Sequence, residues 1–372
     1  QCAIKRTKMS RIFLNPPFMG TNELKYINEV FKSNYIAPLG EFVDRFEQAI
    51  KAYTNAPYAL ALNSGTAALH LGLKSLGLND GDCVLASTFT FIASVNPIIY
   101  ERCEPIFIDS DESWNLSPEL LEKAIKSAPK KPKALILTHL YGQPAKIDEI
   151  MQICSKYEIA VIEDAAEALG ARFNDKALGC FGSFGAYSFN GNKIITCGGG
   201  GMLISSDENL LSNARYLSTQ AREPLLYYEH KQNGYNYRLS NVLGAIGLGQ
   251  MELLDERIKR KREIFELYKS ELSDVADFIP EIARGRGNRW LSTLAFKQKG
   301  AHLRVIDALN QANIESRPLW KPMHTQSVFS GAKAVLNGTS DDLFARGLCL
   351  PSGANMSDEM VLKIAKIIKS AL

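Results

Sequence analysis

No apolar run in these 372 residues approaches the roughly 18–20 needed to cross a bilayer. The opening QCAIKRTK also lacks the apolar centre of an export signal. A cytoplasmic chain with no membrane partner is therefore expected. Cysteine is sparse, with seven residues scattered along the chain and no CxxC pair. That excludes a secreted disulfide framework and argues against a zinc cluster. The five histidines show no ligand spacing, so no metal site is expected. Charge of one sign is missing too. Forty-three Lys and Arg stand against 40 Asp and Glu, for a net +3, and no nucleic-acid surface is indicated. The densest basic run, Arg257 to Arg262, is flanked by Glu256 and Glu263 and is expected to be a solvated helix face. Neither a Walker loop nor a GxGxxG dinucleotide turn occurs, so any phosphate must be held in another way.

The chain does have enough apolar material for a large core: 46% hydrophobic residues against 22% charged. Its dominant pattern alternates short β-rich runs with amphipathic helices. Strands are expected at residues 58–63, 83–86, 105–108, 134–138 and 160–162, with helices at 64–76, 91–100, from Ser117 and Pro118 onward, and at 146–157. This repetition predicts an α/β fold with a mostly parallel sheet covered on both faces. After about Leu253 a long charged helix, residues 253–272, leads into a strand at 291–296 and helices at 302–312 and 359–370. Two domains follow: residues 1–253, an N-terminal segment plus a large α/β domain, and residues 254–372, a connecting helix plus a smaller α+β domain.

In open parallel sheets, ligands bind beyond the carboxyl ends of the strands. The turn Asn63-Ser64-Gly65-Thr66 places small residues at a helix start, where free amides and the helix dipole suit an anion or simply a capping serine. The run at 160–162 ends in Glu163-Asp164. Two acids at a buried strand mouth require partners, either a structural ion pair or a protonated heterocycle. Lys193 follows another strand and is hemmed by glycines and apolar residues, although a plain surface lysine has the same local pattern. Phe89 and Phe91 stand at a further strand end, where a ring could stack on a cofactor or join the core. An amine, a carboxylate and an anion cradle are together what a pyridoxal phosphate enzyme needs.

The stretches NSGTAALH (63–70), STFTFIAS (87–94), IEDAAEALGA (162–171), YSFNGNKIIT (187–196) and GYNYRLSNVLGAIGLGQ (234–250) resemble the DegT-type nucleotide-sugar aminotransferases. SNYIAPLGEFVDRFE (33–47) and RPLWKPMH (317–324) resemble the same family, and the match begins near Phe13. The first eight residues have no counterpart, and Met9 is the expected natural start. The resemblance implies a fold-type-I aminotransferase with a seven-stranded type of large sheet, working as a homodimer with pyridoxal 5'-phosphate. It runs furthest toward enzymes that aminate UDP-4-keto-6-deoxy-N-acetylglucosamine in bacillosamine synthesis, with L-glutamate as donor.

The same resemblance implies roles. Lys193 matches the lysine that carries the cofactor and then moves the proton, and Asp164 matches the acid on the pyridine nitrogen. Gly65, Thr66 and Ser188 match the phosphate cradle, to which the second subunit adds Asn236. Phe91, rather than Phe89, matches the stacking ring, and Glu167 falls near the pyridine hydroxyl. Arg238 falls where the donor carboxylate is received. Asn34, Tyr35, Ile36 and Ala37, with Trp320, Lys321 and His324, match segments lining the sugar-nucleotide cleft. One departure is the run Cys197-Gly198-Gly199-Gly200, where many members carry an acid. Relatives with histidine in place of the lysine are dehydratases, so Lys193 implies transamination. Competing readings are a dTDP sugar as substrate, a fold-type-I enzyme acting only on amino acids, and a regulatory relative.

Overall fold

The computed structural model describes residues 11–372, so the expectation about Met9 and the first eight residues lies outside the described residues. Eight strands form the large sheet, in the order Tyr58–Leu62, Gly201–Ser205, Phe184–Ser188, Ala160–Asp164, Ala134–Thr138, Cys83–Ser87, Glu104–Ile108, Lys333–Val335. Only Gly201–Ser205 runs antiparallel to its neighbours. The inner strands are apolar at nearly every position and buried on both faces, as a sheet sandwiched by helices requires. Helix starts are chemically marked. Ser64 Oγ accepts the Ala67 amide, and Ser117 Oγ caps the helix Pro118–Ser127 by accepting from Leu120.

The eighth strand was not expected. Lys333–Val335 is three residues long, too short to show a pattern, and it is placed by tertiary contacts. The fully buried Asp109 carboxylate accepts the amides of Asn337, Gly338 and Ser340, which ties this segment to the sheet edge.

A second sheet of four antiparallel strands, in the order Ala276–Phe278, Ser292–Phe296, Gly347–Leu350, Arg317–Pro318, carries the helices Ala301–Gln311 and Asp358–Ser370. It has its own core around Ile264, Phe296, Val305 and Ile364. Two segments cross the division expected at residue 253. Lys333–Val335 returns to the large sheet, and the N-terminal segment bonds to the small domain through Ile12 (to Asn313 and Glu315) and Leu14 (to Ser352).

The basic run on the helix Leu254–Leu272 corrects the expectation of a solvated face. Arg257 and Lys261 are buried, at 5% and 2% exposure, because this i, i+4 pair lies on the face that meets the N-terminal segment. Arg257 donates to the Gln250 side chain and the Phe18 carbonyl, and Lys261 donates to three oxygens near the cavity described next.

Candidate active site

A cavity of about 1060 Å³ opens over the carboxyl ends of the parallel strands, between the two sheets. The Tyr58–Leu62 strand delivers Gly65 and Thr66 to it, and Ala160–Asp164 delivers Asp164 and then Glu167. Phe184–Ser188 delivers Ser188 and, after a short loop, Lys193. Phe91 follows the Cys83–Ser87 strand, while Trp320 and Lys321 come from the small domain. All nine expected residues just named therefore line one cavity.

Phe91 is half exposed in the cavity, whereas Phe89 is buried in the core. The two adjacent acids separate just as sharply. Glu163 is completely buried and accepts the amides of Gly179, Phe181 and Gly182 at 2.5–2.8 Å, with His139 Nε2 at 2.9 Å. Its partners are backbone dipoles and an imidazole, and it serves the fold. Asp164 turns the other way, into the cavity. Its Oδ2 accepts from Ser94 Oγ at 2.5 Å and its Oδ1 from the Ala166 amide at 3.1 Å. Ser94 belongs to a buried hydroxyl cluster with Thr90 and Thr138.

Lys193 Nζ lies 3.4 Å from Glu167 Oε1 and 4.1 Å from the centre of the Trp290 ring. Glu167 Oε2 accepts the amide of Tyr141, a buried residue held at φ +50. Burial pushes the Glu167 carboxyl up to about 7; the Lys193 ammonium opposes that shift and the nearby Asp164 charge adds to it. At the start of the helix Gly65–Ser75, the first-turn amides of Gly65 and Thr66 have no carbonyl of their own helix to bond. Ser188 closes the turn from the side, and a Cβ on Gly65 would stand 2.9 Å from Ser188 Cβ.

The remaining expected residues lie elsewhere in this chain. Asn34, Tyr35, Ile36 and Ala37 follow the helix Glu23–Ser33, where Asn241 bonds the carbonyls of Tyr35 and Ala37. The Asn236 carbonyl accepts from Asn63 Nδ2. Arg238 pairs with Glu47 at 3.6 Å. His324 bonds Thr88 Oγ1 through Nδ1 and faces Asp341 through Nε2. None of these seven lines the cavity of its own chain.

Sequence reasoning missed several residues that complete the site. Residues 13–17 form one wall, and Glu315 and Arg317 sit at the small-domain side. Trp290 continues the aromatic surface of Trp320, with ring centres 6.3 Å apart, and the fully buried Tyr141 ring packs against Trp320 at 4.8 Å. The available signal was slight: Trp290 is one of only three tryptophans.

The profile of the DegT/DnrJ/EryC1/StrS aminotransferase family matches residues 17–369. EpsN of Bacillus subtilis is 47% identical over 368 residues, covering 96% of this chain and 95% of that protein. The GDP-perosamine synthase of Escherichia coli O157:H7 is 36% identical over 361 residues, covering 97% and 98%. The chain belongs to the DegT/DnrJ/EryC1/StrS aminotransferase family. A member from Brucella abortus with a crystal structure superimposes with a TM-score of 0.88 at 26% identity, over 94% of this chain and 95% of that one.

The protein is thus a pyridoxal phosphate-dependent aminotransferase acting on nucleotide sugars. The cavity fits that cofactor on structural grounds: a part-buried amine, a carboxylate held by a serine hydroxyl, and free helix-start amides beside a position where only glycine leaves room. Among the described residues no helix is long and apolar enough to cross a membrane.

Proposed function

We propose that this aminotransferase moves the amino group of L-glutamate to C4 of a UDP-linked 4-keto-6-deoxy-N-acetylhexosamine. The product is a UDP-4-amino sugar for glycan synthesis, made in the cytoplasm. The observation that carries this reading is the size and lining of the cavity. At about 1060 Å³ it has room for a ligand beside the cofactor, as a nucleotide sugar requires. Its small-domain side brings together Arg317, Lys321 and Trp320, a combination suited to a diphosphate and a flat ring.

When bound, pyridoxal phosphate supplies an aldehyde carbon that takes up the amine and a ring that accepts the electrons set free. Lys193 would attach the cofactor through Nζ and, once freed, would carry the proton to sugar C4. Asp164, oriented by Ser94, would hold the protonated ring nitrogen. Glu167 would bond the ring hydroxyl, and it stands beside Lys193 Nζ. Gly65, Thr66 and Ser188 would hold the phosphate, and Phe91, also in the lining, would cover the ring.

The working unit in this reading is a homodimer. Leu225, Leu226, Tyr227 and Tyr228 are four consecutive exposed apolar side chains, and Phe31, Tyr35 and Ile36 add to the apolar surface. Asn236 and Arg238 follow on the same excursion, between the helices Glu208–Leu217 and Asn241–Met251. A second copy covering that surface accounts for residues that miss their own chain's cavity: Asn236 then reaches the partner's phosphate site and Arg238 the donor carboxylate.

The test uses enzyme converted to its amino form and mixed in turn with UDP-, dTDP- and GDP-linked 4-keto-6-deoxy sugars. The UDP sugar should restore the cofactor's original absorption at least about tenfold faster than the others, a difference of roughly 1.4 kcal/mol. Fastest return with a GDP sugar would overturn the choice of nucleotide while leaving the reaction class intact.

A further inference from the structure

Lys193 is braced by side chains of the cavity wall that were given no role above. The carbonyl of Asn192, its neighbour, accepts from Asn15 Nδ2 at 2.5 Å and from Trp290 Nε1 at 2.7 Å. Both donors converge on one buried amine. Lys261 Nζ donates to Asn15 Oδ1 at 2.8 Å, to the Trp290 carbonyl at 3.1 Å and to the Ser352 carbonyl at 2.6 Å. The Trp290 ring then returns to Lys193, with its centre 4.1 Å from Nζ.

Three acceptors match the three N–H bonds of an ammonium, and no carboxylate is among them. Burial and the Arg257 guanidinium push this amine's pKa down to about 7, so the site opposes the charge that its hydrogen bonds use. A buried cation without an anion contributes little to stability that an apolar side chain of similar length would not. What the ammonium adds is geometry. It joins the N-terminal segment (Asn15) and the small domain (Trp290, Ser352) to the backbone that carries Lys193.

We propose that Lys261 is a positioning residue for the transamination, holding Asn15 and Trp290 so that together they fix Asn192 and the Lys193 amine where the cofactor aldehyde is met. The inference rests on Lys193 being the attachment point.

The test titrates the full chain with pyridoxal phosphate, which can bond covalently to lysine, and with pyridoxamine phosphate, which cannot. Lys261→Met removes the three donors at similar length. Trp290→Phe removes the indole N–H and leaves a smaller aromatic ring beside Lys193. Both variants should hold pyridoxamine phosphate within about twofold of the parent yet lose roughly ten- to a hundredfold in pyridoxal phosphate affinity. Their kcat should fall by a similar factor, and by more than any change in KM for the sugar. An unaltered ratio of the two affinities, or equal loss of both, would overturn the positioning role. Should Lys261→Met not fold, Trp290→Phe and Asn15→Ala decide the question alone. Lys193→Ala in the same titration separates the two layers. If the preference for pyridoxal phosphate survives there, the reading of Lys193 fails and takes this proposal with it. If the preference is lost in Lys193→Ala but kept in the other variants, only the role of Lys261 fails.

Discussion

Glu167 Oε1 stands 3.4 Å from Lys193 Nζ, and the two side chains are 5% and 12% exposed. An acid and an amine so placed share a proton economy that bulk water barely screens. Burial dominates for the acid, which is why its pKa rises despite the neighbouring ammonium.

That shift carries a sign for stability. With a pKa near 7 in the fold and 4.5 in the unfolded chain, Glu167 keeps a proton in the native state that the unfolded state has already lost. Stability from this group therefore falls as pH rises from about 4.5 to about 7, by on the order of 3 kcal/mol in total. Glu167→Gln removes the dependence. Thermal unfolding of cofactor-free protein should show the variant gaining on the parent across that window and no further above it. A difference independent of pH would contradict the shift.

Asp164 is predicted to control the electron-accepting ring. Asp164→Ala should slow both half-reactions by two or more orders of magnitude in stopped-flow absorption. Ser94→Ala removes one hydroxyl donor to a charged oxygen, worth about 1.5–3 kcal/mol, so a loss of about ten- to a hundredfold is expected. Equal rates in parent and Asp164→Ala would remove the acid from the site.

The anion cradle depends on the absence of a side chain at residue 65. A Cβ there meets Ser188 Cβ at 2.9 Å, beside the free amides. Gly65→Ala should weaken binding of pyridoxamine phosphate at least about tenfold, equivalent to roughly 1.4 kcal/mol, while unmodified pyridoxamine binds equally to both proteins. Equal loss of both ligands would point to general damage rather than a phosphate site.

The exposed stretch at residues 225–228 is expected to be covered in solution. Leu226→Asp combined with Tyr228→Asp should shift the particle from two chains to one in sedimentation. Pyridoxal phosphate affinity should fall with it, because Asn236 no longer reaches a partner. A fully active single chain would refute the shared site.

Much of this was legible before any coordinates. The strand-end positions of Gly65 and Asp164 follow from β/α alternation, since that alternation fixes which turns face the ligand side, whereas Lys193 stood out by its glycine-hemmed place after a strand and Ser188 by the family resemblance alone. Local sequence could not separate Glu163 from Asp164, because the distinction lies in which face of one strand meets the Gly179–Gly182 amides. Lys261 was read as solvated because charged helical runs usually are. The N-terminal segment that buries it is about 246 residues away in sequence. Lys333–Val335 joined the sheet for the same reason, through contacts to Asp109 that no local pattern records.

The most direct measurement is the absorption spectrum of the full chain with pyridoxal phosphate, before and after L-glutamate, beside Lys193→Ala. The parent should show the band of lysine-linked cofactor, and glutamate should replace it with that of the amino form. Lys193→Ala should show only unlinked cofactor. A parent spectrum identical to that of Lys193→Ala would contradict the account at its first step.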